Sequence, residues 1–257
     1  ASVSEDRNTK IWDLSLQNSI LSISSLSPLF TIDVLNENVL ITGDKNKNLS
    51  IYHISVEKDE TKKTFALASP TQHMGMVWRV LILKKNLQHR YIISAGDKTL
   101  MQHELSSDFK KLSFIKSYPN AHKGLIHDII ELTDNKFATC SVDHHIKIWD
   151  TEKDTFLKEI NYLYDNTIFS MIYMNDYDSN CDKTESDVIV CGGYDKKMKI
   201  VCQEEDLRKK VVTYGEYDRP EALYKMRMLY NNKKYKFAAI NFGCSANLYF
   251  WGVKNIE

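Results

Sequence analysis

No run of about 18 apolar residues occurs in this chain, so the sequence offers no membrane-spanning helix. Its first residues show no basic-then-apolar signal pattern, and none is Met at position 1. Glycine is scarce, at nine residues of 257, and no glycine-rich loop of the kind that cradles phosphates is present. Net charge is missing as well: 34 Lys and Arg face 34 Asp and Glu, which argues against a strongly basic surface for nucleic acid. The five cysteines form no CxxC pair and no zinc-ligand spacing. Most sit in apolar runs, where cysteine serves as a small buried residue in a reducing compartment. The acidic loop NDYDSNCD (175–182) lacks the glycine and the glutamate of a calcium loop. Neither a metal nor any other cofactor is expected.

Helical spacing is hard to find, and alternation is everywhere. FTIDVL, LSIYHIS, RYIISAGD, KFATCSVD, IKIWDT and NLYFWGV are short and rich in β-branched or aromatic residues. Turn residues bound each run, and the four prolines fall outside them. This composition predicts an all-β sandwich, barrel or propeller. A repeat decides among them. In SVDHHIKIWD (141–150) a turn residue, Asp143, precedes an inward strand residue, Trp149, by six positions. The same spacing links Asp6 to Trp12, Asn46 to Tyr52, Asp97 to His103, Asp195 to Val201 and Ser245 to Trp251. A second signal lies upstream, where His73 precedes Val77 by four and His122 precedes Ile126 by four.

SVDHHIKIWD together with AHKGLI (121–126) resembles one nearly complete repeat of the WD-repeat family, whose repeats run at about 40–45 residues. SEDRNTKIWDL is a second good match, and the other copies are degenerate. The resemblance implies a β-propeller of four-stranded antiparallel blades, in units at approximately 1–26, 28–72, 73–121, 122–164, 165–219 and 220–257. Only three strands are legible in the first unit and in the last. The chain is therefore expected to be part of a longer protein, with six or seven blades when complete. The resemblance also implies a hydrogen-bonded structural network of His122, Ser141, Asp143 and Trp149, echoed by Asp6, Trp12, His73 and Asp97. Because these positions recur, they are expected to hold the fold together and not to form a Ser-His-Asp catalytic set.

Function is then expected at the narrow end of the propeller. The residue after the first apolar position of each innermost strand faces the channel mouth: Trp78, His127, Phe169 and Tyr224, with Arg79 and Tyr173 extending the rim. Aromatic residues and arginine are the usual anchors of protein interfaces. The expected function is a non-enzymatic interaction scaffold, an intracellular subunit (nuclear or cytoplasmic) of a multiprotein complex. Partners are expected at top-face loops and by strand addition at open blade edges. The alternative is a regulatory subunit of an RNA-processing or RNA-modifying complex, touching RNA through a basic, tyrosine-rich stretch formed by LRKK (207–210), KMR (225–227) and NNKKYKF (231–237).

Overall fold

The computed structural model describes residues 1–13, 15–56, 62–85, 89–133, 135–161, 166–174, 188–196, 198–202, 222–228, 237–242 and 248–251. The regular elements among them are all strands. The first sheet holds β1 (Ser2–Val3), β2 (Asn8–Asp13) and β3 (Asn18–Ser24), and the second β4 (Leu29–Asn36), β5 (Val39–Asp44), β6 (Asn48–Val56) and β7 (Lys62–Pro70). The third has β8 (Arg79–Ile82), β9 (Tyr91–Gly96), β10 (Thr99–Leu105) and β11 (Leu112–Tyr118). The fourth has β12 (Ile126–Glu131), β13 (Lys136–Ser141), β14 (Ile146–Asp150) and β15 (Lys158–Ile160). The fifth has β16 (Ile168–Met174), β17 (Val188–Gly193) and β18 (Met198–Cys202), and the sixth β19 (Ala222–Met228), β20 (Phe237–Phe242) and β21 (Leu248–Trp251). Each is an antiparallel meander in chain order.

The inner strands β4, β8, β12, β16 and β19 pack one against the next, and β1 packs against β4, so the sheets stand radially about a common axis as propeller blades. What lets neighbouring sheets approach is a small residue at one position of the second strand: Gly43, Ala95, Cys140 and Gly192, each paired with the first inward residue of the third strand. A Cβ on Gly43 would lie 2.6 Å from Val77 Cγ1, and one on Gly192 would lie 2.9 Å from Leu223 Cβ. Ala95 shares a core cluster with Ile126, and the Cys140 thiol reaches the Ile168 carbonyl at 3.5 Å. Each small residue thus receives the first apolar residue of the next blade's inner strand, and these large residues are fully buried.

The repeat shows in the backbone too. The residue after the turn residue (Asp6, Asn46, Asp143 or Asp195) has positive φ: Arg7 (69°), Lys47 (68°), His144 (70°) and Lys196 (65°). In the third blade it is Asp97 itself that is left-handed, at 53°. There Ala95 pairs with Leu100, five residues on, where Cys140 pairs with Ile146, six on. The turn is one residue shorter, and Asp97 is displaced with it. Pro70 ends an edge strand, where no ladder donor is required of it.

Candidate functional site

In the fourth blade the Trp149 indole N–H donates to Thr139 Oγ1 (2.8 Å), which lies 2.7 Å from His122 Nε2; His122 Nδ1 lies 3.0 Å from the Asp143 carboxylate. One proton assignment satisfies the chain: Nδ1–H donates to Asp143, and Nε2 accepts from the threonine hydroxyl. The Lys123 and His145 amides also donate to Asp143, at 2.8 and 3.2 Å. Burial alone would raise the Asp143 pKa, but the His122 hydrogen bond and these amides hold it well below the usual carboxylate range. Burial lowers His122, against the pull of Asp143. The hydroxyl joining histidine to tryptophan is therefore Thr139. Ser141, expected there, accepts the Asp143 amide at 3.1 Å and closes the turn.

The echoes of this network are weaker. His73 Nε2 lies 2.9 Å from Ser94 Oγ, and its buried Nδ1 has no hydrogen-bond partner. Asp97 is not joined to it, because the shortened turn leaves that carboxylate on the surface. In the second blade Asp44 holds the turn, accepting the Asn48 amide at 2.8 Å and the Asn48 side chain at 3.0 Å. In the first, exposed Asp6 accepts the Asn8 amide at 2.9 Å, while Trp12, 44 % exposed, donates to Ser2 Oγ at 2.9 Å. Those two residues cap their own turn and strand and do not form a joint network.

Five inner strands present equivalent residues at the mouth, where each strand begins: Phe30, Trp78, His127, Phe169 and Tyr224. Phe30 and Trp78 lie 5.1 Å apart between centroids, His127 and Phe169 4.9 Å, and Phe169 and Tyr224 5.7 Å. Tyr194 extends the second group, 6.3 Å from Phe169. These rings are half-buried, except Tyr224 and Tyr194, which are exposed. They bridge blades and keep a face to solvent, as interface anchors do. Phe30 was not among the residues expected here. Its signal was PLFTID, in which Leu29 is the first apolar position, but no histidine stands four residues before it to mark the register.

One position further in, the same strands carry Thr31, Arg79, Asp128, Ser170 and Lys225. Three follow a rule: the side chain accepts an amide of the next blade, Thr31 from Val80 (3.1 Å), Asp128 from Met171 (3.0 Å) and Ser170 from Met226 (3.0 Å). Asp128, 2 % exposed, also accepts from the Ser170 hydroxyl (2.8 Å) and from Lys225 Nζ. Arg79 Nε stands 3.7 Å from it, so Arg79 lies inside the channel and not on the rim. Tyr173 is likewise in the channel wall, its ring under Lys85 Nζ at 4.7 Å. Burial would raise the Asp128 pKa, but Lys225, Arg227 and Arg79 draw it to about 2. Burial lowers Lys225 to about 7, with Arg227 and Arg79 working against Asp128. These residues line or adjoin a cavity of about 600 Å³ walled by all five inner strands.

Among the described residues no cluster of three or more His, Cys, Asp or Glu could hold a metal ion, and no helix is long and apolar enough to cross a membrane. Of the basic stretch read as RNA-facing, only KMR (225–227) lies within the described residues; LRKK, residues 231–236 and the acidic loop 175–182 lie outside them.

Residues 113–150 match the family model of the WD domain, G-beta repeat. That stretch takes in most of β11 and all of β12, β13 and β14, an outer strand of one blade and the inner three of the next. Among solved structures, a chain of the "Crystal Structure of Mitotic Checkpoint Complex" is similar over 96 % of this chain and 68 % of its own, at 13 % identity and a TM-score of 0.65. At that identity the likeness is one of fold. No curated protein matches the chain by sequence.

Proposed function

Since the chain is a WD-repeat β-propeller, we propose that it serves as a non-catalytic binding platform within a multiprotein assembly, gripping a protein partner at the mouth of its channel. The observation that carries this is the arc of rings. Five consecutive blades place an aromatic side chain at one equivalent position, half-solvated and in contact across blades. Nothing in the architecture needs large rings there, because the apolar residue that seals each blade junction is the one before. Preformed aromatic surface costs little ordering entropy on binding, which is what a recognition face requires. His122, Thr139, Asp143 and Trp149 are occupied with one another, which supports a structural role for them. Strand addition at a blade edge is a second contact mode in this reading. An intracellular setting suits thiols such as Cys140 and Cys191, which are buried in the blades.

The test compares wild type with Trp78→Ala and Phe169→Ala as baits in native extract, read by quantitative mass spectrometry. Partners retained by wild type should fall at least tenfold on both variants, with each melting within a few degrees of wild type. Partners retained equally by all three would remove the mouth from the binding face.

A further inference from the structure

The inter-blade hydrogen bond described above needs an acceptor at the position just after the mouth residue of each inner strand. Arg79 and Lys225 have none to offer, so both break the rule that Thr31, Asp128 and Ser170 follow. Residues that depart from a local structural rule without gain to the fold are candidates for function. Both turn inward and meet at Asp128, although Lys225 is 97 positions away along the chain. Arg227, exposed on the cavity wall, donates to its neighbour's carbonyl, Met226 O, at 3.3 Å. Three cations therefore surround one carboxylate. The other acids of the cavity do not relieve this. Asp33 accepts the Ile82 amide (2.8 Å) and Lys84 Nζ (3.2 Å), and Glu131 accepts the Lys85 amide (2.7 Å). Arg79 Nε is buried without a hydrogen-bond partner.

We infer that the channel is an anion site for an acidic segment of a protein partner, one Asp or Glu carboxylate of which enters between Arg79 and Arg227 beside the Asp128–Lys225 pair. The inference rests on the platform reading and names the chemistry of what the platform holds. Surplus positive charge in a wall of low dielectric attracts a carboxylate more strongly than the same groups would in water. Guanidinium groups suit a carboxylate because they bind it with two parallel hydrogen bonds. The rest of the wall favours a side chain over a bare polyanion. Val80, Ile129, Met171 and Met228 line it, and they would strip water from phosphate groups but accept the methylene stem of a glutamate. The same surplus charge excludes a cationic guest such as a methylated lysine from the aromatic mouth above. The groups facing Lys225 are Asp128, Arg79 and Arg227, with His127 close by. A carboxylate arriving there favours the ammonium, so binding near neutral pH takes up a proton.

The experiment titrates the whole chain with a fluorescein-labelled hexaglutamate peptide and with its hexaglutamine counterpart. The expected result is saturable binding of hexaglutamate alone, weakened at least tenfold by Arg227→Gln and unchanged by Lys123→Gln, an exposed lysine outside the channel. Arg227→Gln is chosen because its exposed side chain can be replaced without unfolding. Calorimetry at pH 7.5 in two buffers of different ionisation enthalpy should report proton uptake that Lys225→Met abolishes. Equal binding to the Arg227→Gln and Lys123→Gln variants, or equal binding of both peptides, would overturn the site. Inositol hexakisphosphate binding lost in Arg227→Gln, with no binding of hexaglutamate, would overturn the assignment to an acidic peptide. If hexaglutamate fails while Trp78→Ala still loses partners, the acidic specificity falls and the platform stands; the converse result sinks the platform alone.

Discussion

Asp143→Ala takes away one side chain and leaves three donors without their acceptor. The Lys123 amide is exposed and the His145 amide partly so; water can replace the carboxylate at both, and each loss costs about 0.5–1 kcal/mol. His122 differs, since its side chain is sealed from solvent, and an unsatisfied buried donor costs about 1–3 kcal/mol. Together these give about 3 kcal/mol. For a domain of this size about 1 kcal/mol moves Tm by roughly 2–4 °C, so the variant should melt roughly 6–12 °C lower. Differential scanning calorimetry and the guanidinium midpoint, measured on the same samples, provide the assay. Asp97→Asn is the internal control. Asparagine is chosen because the left-handed backbone at 53° would strain alanine. Asp97 is a surface turn residue, and its substitution should stay within about 0.5 kcal/mol. Equal losses at the two positions, or a loss under about 1 kcal/mol at Asp143, would refute the reasoning.

Ser170→Ala removes a hydroxyl that donates to Asp128 and accepts the Met226 amide, and urea denaturation should show a loss of about 1–3 kcal/mol. Adding a Cβ at Gly192 should be worse than at an ordinary strand position, since it collides with Leu223; Gly192→Ala should lower Tm by several degrees, relieved in part by Leu223→Val. Burial holds His73, His103 and His127 down to about 4, against about 6.5 for the unfolded chain. The unfolded state therefore binds more protons between these values, and the stability these groups confer is full above about pH 6.5 and lost as pH falls toward 4. Asp143, depressed in the fold, adds a further loss below about pH 4. Denaturant midpoints measured from pH 7.5 to 3.5 should hold down to about pH 6.5 and fall below it, and a flat profile would contradict the buried neutral imidazoles.

Alternation and the six-residue interval made the blades legible in the sequence, because a turn residue followed by a left-handed one is a local feature that the first, second, fourth and fifth blades all rebuild. Register was less secure. In the third blade the turn is one residue shorter, a change that spacing from Asp97 to His103 conceals while it parts Asp97 from His73. Thr139 was passed over for Ser141 because both are hydroxyl residues on β13, and only the pairing of Phe137 with Trp149 places Thr139 beneath the indole. The mouth was read from four strands, and Phe30 escaped because its blade lacks the marker histidine. The channel cluster could not be read at all. Asp128, Ser170 and Lys225 belong to three different repeats, and nothing local to any of them signals the other two; the radial arrangement of the sheets about an axis brings them together.

That arrangement is tested most directly by a double-mutant cycle on Asp128 and Lys225, using Asp128→Asn, Lys225→Met and the pair, with unfolding free energies from denaturant titration. Residues 97 positions apart, on sheets that are not neighbours, couple only if a shared axis joins them. The radial arrangement predicts a coupling energy above about 1 kcal/mol. Additive losses, with coupling indistinguishable from zero, would contradict it.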